Sequence, residues 1–222
     1  MRLDHVNGTT QVARLTPATP SFVVKATPSW LHVAGTYLHL GVEHILLGLD
    51  HLLFVLALLL LVEGGRRLLG TVTAFTAAHS LTLAAATLGL GHMPQQSVEA
   101  IIALSIVFIA AEIVHSRQGR SGLTARRPWV VAFIFGLLHG LGFAGALREV
   151  GLPEQSIPLA LFFFNVGIEV GQLLFISAAL AIGALLRRLV VACPVWVRQL
   201  PAYGIGTIAA YWTLERVAGF WP

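Results

Sequence analysis

Two acids and two histidines stand inside one of the most apolar stretches of the chain. Gly41-Val-Glu-His-Ile-Leu-Leu-Gly-Leu-Asp-His-Leu-Leu-Phe54 opens an apolar run that continues to Val62, yet it carries Glu43, His44, Asp50 and His51. A charged side chain at the centre of a membrane helix costs about 2.5–3.5 kcal/mol on insertion scales, so such residues need a reason to be there. On one continuous helix, residues seven apart lie on nearly the same face. Glu43 is then expected above Asp50, and His44 above His51. Imidazole and carboxylate together suit divalent first-row metals such as nickel, cobalt and zinc.

Later apolar segments carry few polar groups, and these fall to one side. Thr76, His79 and Ser80 share one segment, and Ser105, Glu112 and His115 the next. His139 stands among Gly136, Gly140, Gly142 and Gly145, which let a neighbouring helix approach closely. Asn165, Glu169 and Gln172 form a single stripe at spacings of four and three. Ser105, Thr76, Ser80, Gln172 and His115 read as hydrogen bonding between helices. His44, Asp50, His51, His79, His139 and Glu169 read as one shared metal site, because ionisable residues inside a membrane are functional candidates by default. Metal binding needs neutral imidazoles and ionised carboxylates. Glu43 and Glu112 are candidates to orient the imidazole rings.

The elements that must position these groups follow from composition. Of 222 residues, 56% are hydrophobic and 11% charged, against about 25% charged in average soluble domains. Mean hydropathy is +0.81. The expected fold class is an all-α integral membrane protein: a bundle of six transmembrane helices with a short β-prone N-terminal arm. The apolar segments run from Trp30 to Val62, Leu68 to Leu90, Val98 to His115, Trp129 to Leu147, Ile157 to Leu186 and about Leu200 to Val217. Each is long enough for about 30 Å of hydrocarbon. The first is too long for one crossing, so a bend near Gly41 or a protruding start is expected. Cys193 is the sole cysteine, which excludes internal disulfides and thiolate clusters.

Residues 1–29 differ from the remainder. Thr9–Thr16 and Ser21–Lys25 are short β-prone pieces punctuated by Pro17 and Pro20. They read as an extracytoplasmic arm or the remnant of a β domain, ahead of a transmembrane domain spanning 30–222. Arginines cluster after the first, third and fifth segments: Arg66 and Arg67; Arg117, Arg120, Arg126 and Arg127; Arg187, Arg188 and Arg198. The positive-inside rule then puts those loops in the cytoplasm and both termini outside, in a multi-pass protein of the bacterial inner membrane. An external N-terminus with no apolar signal region suggests a truncated precursor.

The second and fourth segments align without a gap. Phe75, His79, Leu81 and Ala84 match Phe135, His139, Leu141 and Ala144. The segments that follow match at Ala103-Leu104 with Glu112 and at Ala160-Leu161 with Glu169. Both pairs are expected to run in the same direction, as a parallel internal repeat.

His44, five residues, then Asp50-His51 resembles the first-helix signature of the HupE/UreJ family of nickel permeases and hydrogenase or urease accessory membrane proteins. It is also similar in kind to the nickel/cobalt transporters, whose spacer is four residues. Leu138-His139-Gly140 resembles the family's second signature, which begins Phe-His-Gly. The resemblance covers residues 30–217 and implies His44, Asp50, His51 and His139 as metal-binding residues. The chain departs from the family at Ile45, where proline is common, and at Ala146, where the second signature has a glutamate. Glu169 is then the candidate to supply the missing carboxylate. The implied function is transport of a divalent ion, nickel first, cobalt next and zinc possible by ligand type. Partners would be membrane lipid, the ion and further copies of the chain in a homo-oligomer. Neither nucleic acid nor nucleotide is expected, since no phosphate-binding Gly-x-x-x-x-Gly-Lys-Ser/Thr is present.

Three other readings use the same residues. An intramembrane zinc hydrolase would take three histidines and an aspartate as ligands, with Glu112 or Glu169 as general base. A haem protein would use paired axial histidines. A metal sensor or chaperone would bind without transporting.

Overall fold

The computed structural model describes residues 2–4, 10–12, 29–90, 93–120, 122–150, 157–189 and 196–221. Near the N-terminus, strands β1 (Arg2–Asp4) and β2 (Thr10–Val12) pair antiparallel, with Leu3 opposite Gln11. Ser21–Lys25 lies outside the described residues. The rest is helical: α1 (Trp30–Leu47), α2 (Leu49–Leu61), α3 (Gly65–Thr87), α4 (Gln95–Arg117), α5 (Leu123–Arg126), α6 (Pro128–Val150), α7 (Ile157–Leu189) and α8 (Leu200–Ala218).

Among the described residues, α3, α4 and α7 are each long and apolar enough to cross a membrane, and the α1–α2 pair makes a fourth crossing if taken as one broken span. The apolar stretch of α6, Pro128–Gly142, is shorter. This is an integral membrane protein of helices. By length and composition, three or four crossings are found among the described residues, against the six apolar runs in the sequence.

The bend expected near Gly41 lies at Gly48. There α1 and α2 meet at 73°. Gly48 keeps the hydrogen bond from its N–H to the His44 carbonyl, 3.1 Å, but its ψ of 92° turns the chain out of the helix. A Cβ at this position would lie 2.7 Å from the His44 carbonyl oxygen and 2.8 Å from His51 Nδ1, both too close. Gly41 remains helical and serves close packing instead. A Cβ there would overlap the Phe164 carbonyl of α7, and Gly167 faces it across the contact.

Three helix pairs pack most extensively: α3 with α6, α1 with α7, and α4 with α8. Gly136 meets α3 at Phe75 and Ala78, and Gly140 meets it one turn on at His79 and Thr82. The two helices that the repeat aligns therefore run in the same direction where they touch. Two apolar clusters result. One gathers Phe54, Leu58, Phe75, Ile106, Ile109 and Ile205 from α2, α3, α4 and α8. The other gathers Tyr37, Ile45, Leu83, Phe164 and Ile168 from α1, α3 and α7. The functional candidates lie between them.

Candidate metal centre

Four helices each bring one imidazole to the seam between the apolar clusters. His44 comes from the last turn of α1, His51 from the first turn of α2, His79 from α3 and His139 from α6. The break at Gly48 is what turns His44 and His51 toward one another, with ring centres 4.7 Å apart. His44 and His79 are 6.0 Å apart, His51 and His79 6.3 Å, and His51 and His139 5.4 Å. Phe164 flanks His44 at 5.6 Å, while Phe54 and Phe75 flank His139 at 5.2 and 5.1 Å. His79 and His139 are each 1% exposed.

Hydrogen bonding leaves lone pairs on these rings. The Ser105 hydroxyl donates to the Ile102 carbonyl at 2.6 Å, and its oxygen lies 3.0 Å from His139 Nε2. With the Ser105 proton engaged, Nε2 is the protonated nitrogen of His139, and Nδ1 carries the lone pair. That Nδ1 is buried with no protein partner, as are His51 Nε2 and both ring nitrogens of His79. Buried polar atoms are otherwise almost always paired. Metal bonds of about 2.0–2.1 Å to imidazole place two rings that share one ion roughly 5–6 Å apart, centre to centre. His44–His79 at 6.0 Å and His51–His139 at 5.4 Å fall in that range, with His44–His51 at 4.7 Å below it and His51–His79 at 6.3 Å above it. Among the described residues, however, no three His, Cys, Asp or Glu groups converge on one point. Two ring pairs therefore have the spacing of rings that share an ion, and among the described residues no set of three closes around one.

His44, His51 and His139 line a cleft of about 500 Å³ together with Glu43, Gly48, Asp50, Gln95, Glu99 and Arg216. Glu43 is close to half exposed, and its Oε1 lies 3.2 Å from His39 Nε2. Asp50 Oδ2 accepts from Arg216 Nη2 at 2.8 Å. Thus Glu43 and Asp50 share the cleft with the rings. Glu112 and Glu169 do not line it. Glu112 lies seven residues beyond Ser105 on α4, about 10 Å along the helix, where its Oε2 accepts from the Thr124 N–H at 3.1 Å. Glu169 Oε1 accepts from Thr73 Oγ1 at 2.6 Å, and its Oε2 is buried without a hydrogen bond. Thr73 precedes His79 by six residues, about 9 Å along α3. Thr76 donates to Gln172 Oε1 at 2.9 Å, and this bond joins α3 to α7 as the sequence reading of both residues expects.

The ends of α4 give the cleft a direction. Gln95 and Glu99, in its first turns, line the cleft. Beyond its last turn, Arg67 donates to the carbonyls of Ala125 and Arg126, tying together the arginine-rich stretches after the first and third apolar segments. The cleft and these loops are therefore at opposite ends of α4. Sequence reasoning missed Arg216, Glu99 and Gln95. Arg216 sits near the end of the last apolar run, 166 residues from Asp50, and only the packing of α8 on α4 brings it to the cleft.

The apolar helices and the buried imidazoles define a helical membrane protein with a buried histidine cluster. The family described as HupE / UreJ protein matches residues 19–216, and the chain belongs to that family, which is associated with nickel and cobalt transport or accessory function. No curated protein and no solved structure matches the chain.

Proposed function

We propose that this protein carries a divalent transition-metal ion, nickel first and cobalt next, across the bacterial inner membrane through the histidine cluster. The observation that carries the reading is the set of four imidazoles from four helices, with unpartnered buried nitrogens on His51, His79 and His139. The ion reaches them through the cleft beside Glu43 and Asp50. Positive loops mark the cytoplasmic face, so a cleft at the far end of α4 opens outward, with both termini on the same outer side. The path inward follows α3 and α7 past His79 toward Glu169, within a six-helix domain over 30–222 preceded by an arm over 1–29. Glu112, near the loops, serves the inner end. A membrane potential is worth about 2.3 kcal/mol per charge per 100 mV, and roughly twice that for a dication.

The zinc hydrolase reading finds no support in the family. Its two candidate bases are engaged elsewhere, Glu112 with the Thr124 N–H and Glu169 with Thr73. The test is uptake of radioactive nickel by proteoliposomes holding the intact chain. Uptake that follows an imposed potential and disappears in His51→Ala supports transport. Tight metal binding without uptake sinks it.

A further inference from the structure

The cleft holds a cation of its own. Arg216, near the end of α8, reaches across to the first turn of α2, where its Nη2 donates to Asp50 Oδ2 at 2.8 Å. Its Nη1 donates to the Glu99 carbonyl of α4 at 2.8 Å, and its Nε lies 3.9 Å from Glu99 Oε2. Its guanidinium carbon lies 5.7 Å from the Trp212 ring centre. Asp50 and Arg216 side chains are about one-fifth exposed, so the pair is largely shielded from solvent. Asp50 adjoins His51 in the chain, and both follow the break at Gly48.

We propose that Arg216 is a tethered counter-cation that neutralises Asp50 in the metal-free protein and must leave Asp50 when a divalent ion binds. The inference rests on the reading of the histidine cluster as a metal path. A guanidinium and a dication cannot share one carboxylate without strong like-charge repulsion, because at short range and low dielectric the interaction of charges is large. Among the described residues, the formally charged side chains lining the cleft are Glu43, Asp50, Glu99 and Arg216, three acids and one base. With Arg216 on Asp50, the two remaining acids match the charge of a dication at the mouth. Deeper binding, at Asp50 and His51, requires exchange of one cation for the other. This makes Arg216 a specificity element. A monovalent ion offers Asp50 no more charge than the guanidinium it would displace, whereas a divalent ion does. The exchange also breaks the hydrogen bond by which Arg216 ties α8 to α2 at Asp50.

The experiment uses the full chain in lipid nanodiscs. Nickel chloride is titrated calorimetrically into wild type, Arg216→Gln and Arg216→Lys, and the change in the guanidinium infrared bands on nickel binding is recorded for wild type and Arg216→Lys. Arg216→Gln is expected to bind nickel at least about tenfold more tightly than wild type, with like-charge repulsion removed. Arg216→Lys, which keeps the charge, should gain less. Wild type should show a guanidinium shift on binding that Arg216→Lys lacks, a signature readable even if the neutral variant does not fold. A folded Arg216→Gln with equal or weaker affinity, or a wild-type guanidinium spectrum that nickel leaves unchanged, overturns the exchange and leaves the metal path standing. No binding of nickel by either wild type or Arg216→Gln overturns the nickel path itself, and the exchange with it.

Discussion

Replacing His79 by leucine separates a ring kept for a ligand from a ring kept for the fold. His79 is 1% exposed, and neither ring nitrogen has a hydrogen-bond partner in the protein. A neutral imidazole offers one donor and one acceptor, and a buried unsatisfied polar group costs about 1–3 kcal/mol. Leucine has a similar volume and no polar atom, so His79→Leu should stabilise the metal-free protein by about 1–3 kcal/mol. At roughly 2–4 °C per kcal/mol for a chain of this size, its Tm should rise by roughly 2–12 °C. Nickel should act in the opposite sense on the pair. At a hundredfold excess over Kd a ligand stabilises the native state by about 2.7 kcal/mol, and this response should be present in wild type and largely lost in the variant. Thermal unfolding of both proteins in the same lipid, with chelator and then with nickel, reads both effects. A His79→Leu protein that melts below wild type in chelator would refute the reasoning, because the ring would then be holding the bundle together.

Two further substitutions test the supports of the site. Ser105→Ala removes the hydroxyl 3.0 Å from His139 Nε2, which fixes the lone pair on Nδ1; it should cost about 0.5–1.5 kcal/mol of stability and about 10–100-fold in nickel affinity, measured by calorimetric titration. Gly136→Val puts a side chain where even a Cβ overlaps the Phe75 carbonyl; it should lower stability by about 1–3 kcal/mol and weaken nickel binding by separating His79 from His139, read by Tm and titration together.

Much of the site was legible because membrane helices make ionisable residues conspicuous. His44, His51, His79 and His139 stand out in apolar runs, and the four meet in the structure. The repeat that aligned His79 with His139 anticipates the parallel contact of α3 with α6. What spacing alone could not settle was the geometry between segments. Gly41 and Gly48 are equally permissive in sequence. Only packing against Gly167 assigns the first to close approach, and only the turn beside His51 assigns the second to the break. For the same reason the stacking of Glu43 on Asp50, drawn for one unbroken helix, gives way to a cleft that holds both. The repeat also made Glu112 and Glu169 look equivalent, but their partners, the Thr124 N–H and Thr73, come from non-equivalent surroundings. Arg216 was invisible because its significance depends wholly on an element packed against it from the far end of the chain.

The most direct test of a histidine-bound metal is X-ray absorption at the nickel edge of the loaded full chain. The account expects a nitrogen and oxygen coordination shell with the outer-shell scattering of two or more imidazoles, reduced in His51→Ala and His139→Ala. Nickel bound by oxygen alone, with no imidazole signature in wild type, would contradict it.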